Sequence, residues 1–148
     1  MSKLLRFITP MALLLALTVP LSADRDGALA ALQRALDKVN EYGYHMPDGG
    51  EGSAYWIWNM NPGYYNQVNR TFYRGNDYAL VATGDNRVLD VDLKVYDENW
   101  NLIDSDTDET NLALVRFTPK WTGAFHIRTI YYSGRGVGSL GFFIAFKR

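Results

Sequence analysis

The chain has no cysteine in 148 residues, only two histidines and only five prolines. Without thiols it has no disulfide framework, no cysteine nucleophile and no thiolate metal site. Two separated histidines, His45 and His126, argue against a histidine-rich zinc centre. Charge of one sign is not in excess either. Fifteen basic residues face sixteen acidic ones for a net charge of −1, and the basic ones are scattered rather than gathered into a stripe, which argues against a nucleic-acid partner. The apolar run Phe7 to Val19 covers 13 residues and is broken by Pro10, short of the roughly 20 that a membrane-spanning helix needs. Lys3 and Arg6 precede this run and Pro20-Leu21-Ser22-Ala23 follows it, so residues 1–23 read as a cleavable signal peptide with Ala23 suited to the last position before the cut. The expected protein is bacterial, periplasmic or secreted. Loss of Lys3 and Arg6 leaves 13 basic against 16 acidic residues, and a disulfide-free mature chain of this size can still be held by its core.

What is present divides into two patterns. In residues 24–42, Leu29, Leu32, Leu36 and Val39 recur at spacings of three and four, which predicts an amphipathic helix with Asp24 and Asp26 at its positive end and Gly43 as a stop signal. Its leucine stripe either packs on the rest of the domain or serves as a docking or self-association seam. Residues 43–53, rich in glycine, read as a linker or surface loop that includes His45.

From residue 54 to 148 the period shortens to two. Leu89, Val91, Leu93 and Val95 alternate with Asp90, Asp92, Lys94 and Tyr96, predicting a strand with one apolar and one polar face. Asp97 to Asn101 supplies a hairpin turn, Leu102 and Ile103 begin a return strand, and an acidic loop from Asp104 to Asn111 precedes another strand over Leu112 to Phe117. Similar segments at Ala54 to Met60, Tyr64 to Tyr73, Tyr78 to Thr83, Phe125 to Tyr132 and Leu140 to Lys147 bring the total to about eight. The expected fold is an all-β antiparallel sandwich, jelly-roll-like, preceded by one helix.

The order of Tyr73-Arg74-Gly75-Asn76-Asp77-Tyr78, Ala82-Thr83-Gly84-Asp85, the strand Asp90 to Asp97, Phe117-Thr118-Pro119 and Trp121-Thr122-Gly123-Ala124-Phe125 resembles the bacterial pre-peptidase C-terminal domain. That β-sandwich family is related in shape to the collagen-binding modules of clostridial collagenases, and the resemblance covers residues 67–148. It implies an appendage of secreted peptidases serving export, solubility or substrate attachment. This chain differs in carrying a helix ahead of the sandwich and no catalytic domain. Gly84 and Gly123 are expected at turns that need positive φ.

Three groups of side chains invite a functional reading. Asp90, Asp92, Asp97, Asp104, Asp106 and Asp108 could coordinate calcium, which takes six to eight oxygen ligands, or could form a solvated acidic loop capping turn amides. An EF-hand is excluded because Glu109 stands where its glycine belongs and Val115 falls at its twelfth position. Asp90 and Asp92, about 6 to 7 Å apart at i and i+2 of a strand, lie between retaining and inverting glycosidase spacings, but no desolvating pocket for either is legible. The string Gly136 to Gly141 matches GxGxxG yet precedes a strand rather than a helix, so it is a hairpin loop and not a nucleotide site. Among the aromatic residues, 14% of the chain, Trp100 falls in a hairpin turn and is a candidate partner-binding residue; Trp56 and Trp58 are candidates for the same role or for the core. The expected function is binding or scaffolding of an envelope or extracellular partner without catalysis. The alternatives are a calcium-dependent module for a polysaccharide or protein, and an accessory domain of a secreted peptidase.

Overall fold

A computed structural model describes residues 22–47 and 55–148. Most of the expected signal peptide, residues 48–53 of the glycine-rich stretch and residue 54 of the expected first strand lie outside the described residues. One helix, α1 (Arg25–Asn40), precedes eight strands: β1 (Tyr55–Met60), β2 (Tyr65–Phe72), β3 (Asp77–Gly84), β4 (Val88–Tyr96), β5 (Leu102–Asp106), β6 (Leu112–Phe117), β7 (Gly123–Gly134) and β8 (Gly138–Lys147). They form two four-stranded sheets in the orders β1-β8-β3-β6 and β2-β7-β4-β5, with every pairing antiparallel. This is a β-sandwich with jelly-roll strand order, and among the described residues no helix is long and apolar enough to cross a membrane.

Period-two alternation builds the main core. Val68 and Phe72 of β2, Val91, Leu93 and Val95 of β4, and Phe125, Ile127 and Tyr131 of β7 point inward from one sheet. They meet Tyr78, Leu80 and Ala82 of β3, Ala113 and Val115 of β6, and Leu140, Phe142 and Ile144 of β8. The complementary positions of β3 and β8 face outward yet are also apolar, because the helix covers them. Leu32, Val39 and Tyr44 pack there on Ala79, Val81, Phe143 and Ala145 in a second core. Gly141 permits the close approach, since a Cβ at that position would stand 2.6 Å from Leu32 Cδ1. Asp24 caps α1 by accepting from the Gly27 amide at 2.9 Å, and Gly43, at φ +83, turns the chain out of the helix.

The structure corrects several local expectations. Leu29 belongs to the helical stripe by spacing, but it is 47% exposed; Ala28 and Leu32 make the buried contacts instead. Leu89 is also exposed, because register irregularities between Val88 and Val91 break the alternation and send Val88 inward in its place. His45 is not in a free loop: its amide and carbonyl both bond to Phe146, at 3.0 and 2.9 Å, forming an isolated antiparallel bridge alongside the last residues of β8. Asp104 and Asp106 lie in strand β5 rather than in the loop that follows it. Gly84 and Gly123 close and open strands without positive φ. What they require is space, since a Cβ at Gly84 would meet the Val88 side chain at 2.4 Å and one at Gly123 the Trp121 ring at 2.8 Å.

Candidate functional site

Among the described residues, no helix lies on the outer face of the β2-β7-β4-β5 sheet. Strand register sets out its side chains in rows. Asn69, His126 and Tyr96 are neighbours across β2, β7 and β4; one step along lie Gln67, Arg128 and Lys94, and beyond them Tyr65, Ile130 and Asp92. Inward-facing Val68, Ile127 and Val95 alternate with these positions, so the rows project away from the core.

Trp100 folds onto this face from the β4–β5 turn. Its loop is fixed by Asp97, whose carboxylate accepts from the amides of Asn99 and Asn101, each at 2.8 Å, and from Asn101 Nδ2 at 2.9 Å. These bonds hold the Asp97 carboxyl below its usual pKa, the Asn101 side chain contributing most. Two backbone bonds, from Trp100 N to Asp97 O and from Asp97 N to Asn101 O, close the turn. Trp100 itself adopts φ +64, the left-handed region normally given to glycine or asparagine, at a cost of roughly 1–2 kcal/mol. It is the one non-glycine residue with positive φ among the described residues.

That conformation lays the indole flat on His126, with ring centroids 4.1 Å apart and planes 7° from parallel. His126 is held from the other side by Asn69 Oδ1, 2.8 Å from its Nδ1. The Arg128 guanidinium lies 4.7 Å from the centroids of both Trp100 and Tyr65 and 5.6 Å from that of Tyr96, and its Nε donates to Gln67 Oε1 at 3.3 Å. Cation–π contacts of this kind contribute about 0.5–1 kcal/mol each at exposed positions. Trp100 is 45% and Tyr65 52% exposed, so the cluster is ordered by its own contacts yet open to solvent. It is a platform of flat apolar surfaces with amide and guanidinium groups between them.

The other sequence-derived candidates are placed differently. Trp56 and Trp58 stand opposite Phe142 and Leu140 and pack, partly buried, against the main core, with Arg70 over the Trp56 ring at 5.0 Å. Asp90, Asp92 and Asp106 lie near enough to repel one another, but among the described residues no three acidic or histidine side chains form a cluster able to hold a metal ion. Asp97 is committed to its own turn. Asp104 accepts from Ser105 N, and Asp106 from Asp108 N and from Leu114 N at 2.9 Å. The last bond joins the edge strands of the two sheets and blunts the open edge of β6. Asp108 lies exposed in the β5–β6 loop.

Asp90 and Asp92 are buried in the first half of β4, 6% and 7% exposed, and Asp90 Oδ1 has no hydrogen-bond partner among the described residues. Burial pushes both carboxyls above the usual range, helped by Glu109 at Asp90 and by Asp90 and Asp106 at Asp92, where Lys94 opposes.

Sequence reasoning found Trp100 through its place in a turn. It did not single out Arg128, His126 or Tyr96 for binding; their one local signal was a cation or aromatic ring at the outward positions of a predicted strand. No protein-family model matches the chain, and no curated protein matches it either.

Proposed function

We propose that the protein is an exported, non-catalytic binding module that takes a polysaccharide on the outer face of the β2-β7-β4-β5 sheet. The observation that carries this reading is the stacked Trp100–His126 pair with Arg128 set among the rings of exposed Trp100 and Tyr65 and half-buried Tyr96. Sugar rings offer C–H faces to flat aromatic surfaces and hydroxyls to amides and guanidinium groups, and both kinds of partner lie side by side here. The strain at Trp100 points the same way. The turn would form more readily with glycine, so the indole is retained there against a conformational cost, as happens at functional positions.

Export rests on the pattern of residues 1–23. The jelly-roll strand order agrees with the resemblance to pre-peptidase C-terminal domains. That resemblance favours a second reading, in which the same face attaches a secreted peptidase to its polymeric substrate.

The test is retention of the purified protein by peptidoglycan, chitin and cellulose, with and without calcium. Saturable binding to one of these polymers, unchanged by a chelator and weakened at least tenfold by Trp100→Ala or Tyr65→Ala in folded protein, is expected. Binding to none, or binding indifferent to both substitutions, would rule the proposal out. A requirement for calcium would favour the calcium-dependent alternative.

A further inference from the structure

The point where α1 meets the sandwich carries an unusual contact. The main-chain nitrogen of Asp24 donates to Asp85 Oδ2 at 2.7 Å, across 61 residues of sequence. Asp85, in the turn between β3 and β4, is 2% exposed. The same Oδ2 accepts from Ser139 N at 2.9 Å, and Oδ1 accepts from Arg87 N at 3.0 Å. A buried carboxylate is thus held by main-chain amides, one of which belongs to the residue directly after Ala23, where residues 1–23 read as a signal peptide ending in a small residue.

We infer that hydrolysis of the Ala23–Asp24 bond creates a new α-ammonium group on Asp24 that Asp85 receives as its buried ion-pair partner, locking α1 onto the sandwich once the chain has been exported. The inference rests on the export reading above. A signal-peptidase-type protease adds water across the amide: Ala23 leaves as a carboxylate and Asp24 keeps its nitrogen as an ammonium, with no redox change. Before the cut, Asp85 accepts three neutral N–H bonds. After it, one donor carries a full charge at the same place, and charge-assisted bonds of this type are about twice as strong as neutral ones. The pair lies at the N-terminal end of α1, where a negative group also complements the helix dipole and offsets the unfavourable placing of an ammonium there. Without processing, the helix keeps its apolar contacts but not this clamp.

The linkage has a definite sign. An α-amino group titrates near 7.7–8.0 when free, and a carboxylate partner raises that value in the folded state. The stabilisation is therefore complete below the free value and is lost as pH rises through the raised one. The groups around the position are Asp85 and Arg87 of the β3–β4 turn, Tyr131 of β7, whose hydroxyl is pushed up by burial and then by Asp85, the side chains of Asp24 and Asp26, and Arg34 across the adjoining cleft.

The experiment is to express the full chain in a bacterial host, recover the exported protein and determine its first residue by mass. A chain beginning at Asp24 is expected. A chain recovered uncut, or cut elsewhere, overturns the reading of residues 1–23. With Asp24 first, its α-amine should react with an α-amine-selective aldehyde at least tenfold more slowly than in a variant with one serine inserted after Ala23, whose processed chain carries an extra residue ahead of Asp24. Unfolding at pH 6 should lie about 5 °C higher than in that variant, with the gap closing above the raised amine value. Asp85→Asn should release the amine to rapid labelling, and the insertion decides the matter if that variant does not fold. Equal labelling rates and equal midpoints with Asp24 first would overturn the ion pair.

Discussion

The two outer faces of this sandwich have been finished in opposite ways. On the β1-β8-β3-β6 sheet the outward side chains are apolar, Ala79, Val81, Phe143 and Ala145, and α1 covers them. On the β2-β7-β4-β5 sheet the corresponding positions carry Asn69, Gln67, Arg128, His126 and Tyr96, and a single indole lies over part of them. Side chains buried by the protein itself are chosen for fit. Those on the open face are chosen for what they offer to something else, and substitutions should separate the two purposes.

The largest effect is expected on the covered face. Leu32→Ala removes a 4% exposed side chain from the second core and should cost about 2–5 kcal/mol of unfolding free energy in a denaturant titration, with polysaccharide binding unchanged while the protein stays folded. A loss below about 1 kcal/mol would mean that α1 rests on the sheet without contributing to it.

Trp100→Gly should behave in the opposite sense. It relieves the left-handed backbone cost while giving up exposed ring contacts, so stability should change by less than about 1 kcal/mol as polymer affinity falls at least tenfold. Parallel loss of stability and binding would show that the indole is structural.

A finer contrast lies between Asp92, midway along β4, and Asp97, just past its end. Asp92 has a raised carboxyl pKa, so the folded protein favours its neutral form: its contribution is complete below pH ~3.9 and is lost as pH rises through the raised value. Asp92→Asn should therefore raise the thermal midpoint at pH 7, with the gain fading towards pH 3. Asp97 has a lowered value, and its stabilisation is present above pH ~3.9 and lost as pH falls through the folded value. Asp97→Ala should lower the midpoint at pH 7 and have little effect in strong acid. Matching pH profiles for the two variants would contradict the assignment of burial to one and turn bonding to the other.

The smallest expected effect is none. Millimolar calcium should leave the thermal midpoint where a chelator leaves it, because among the described residues no three candidate ligands form a cluster able to hold a metal ion and several are already bonded. A rise removed by Asp104→Asn with Asp106→Asn would show a metal site.

Much of this architecture is legible in the sequence because it depends on periodicity. Leu32 and Val39 mark the helix, the alternation from Val91 to Val95 marks a strand, and the eight such segments anticipate the sandwich. Leu89 misleads because a register irregularity is a local departure that an alternating pattern cannot announce. Trp100 is legible as a turn residue, but its companions are not. Tyr65 and Arg128 lie far apart in the chain and meet only through the pairing of β2 with β7, while the acidic residues are close in sequence and yet divided between two strands, a turn and a loop by the course of β4 and β5.

The most direct test of the open face as the binding surface is an amide correlation spectrum of isotope-labelled protein titrated with a soluble oligosaccharide of the polymer it retains. The shifts should concentrate at Tyr65, Tyr96, Trp100, His126 and Arg128 and leave Ala31 to Val39 of α1 unmoved. Shifts centred on α1 with an undisturbed Trp100 would contradict it.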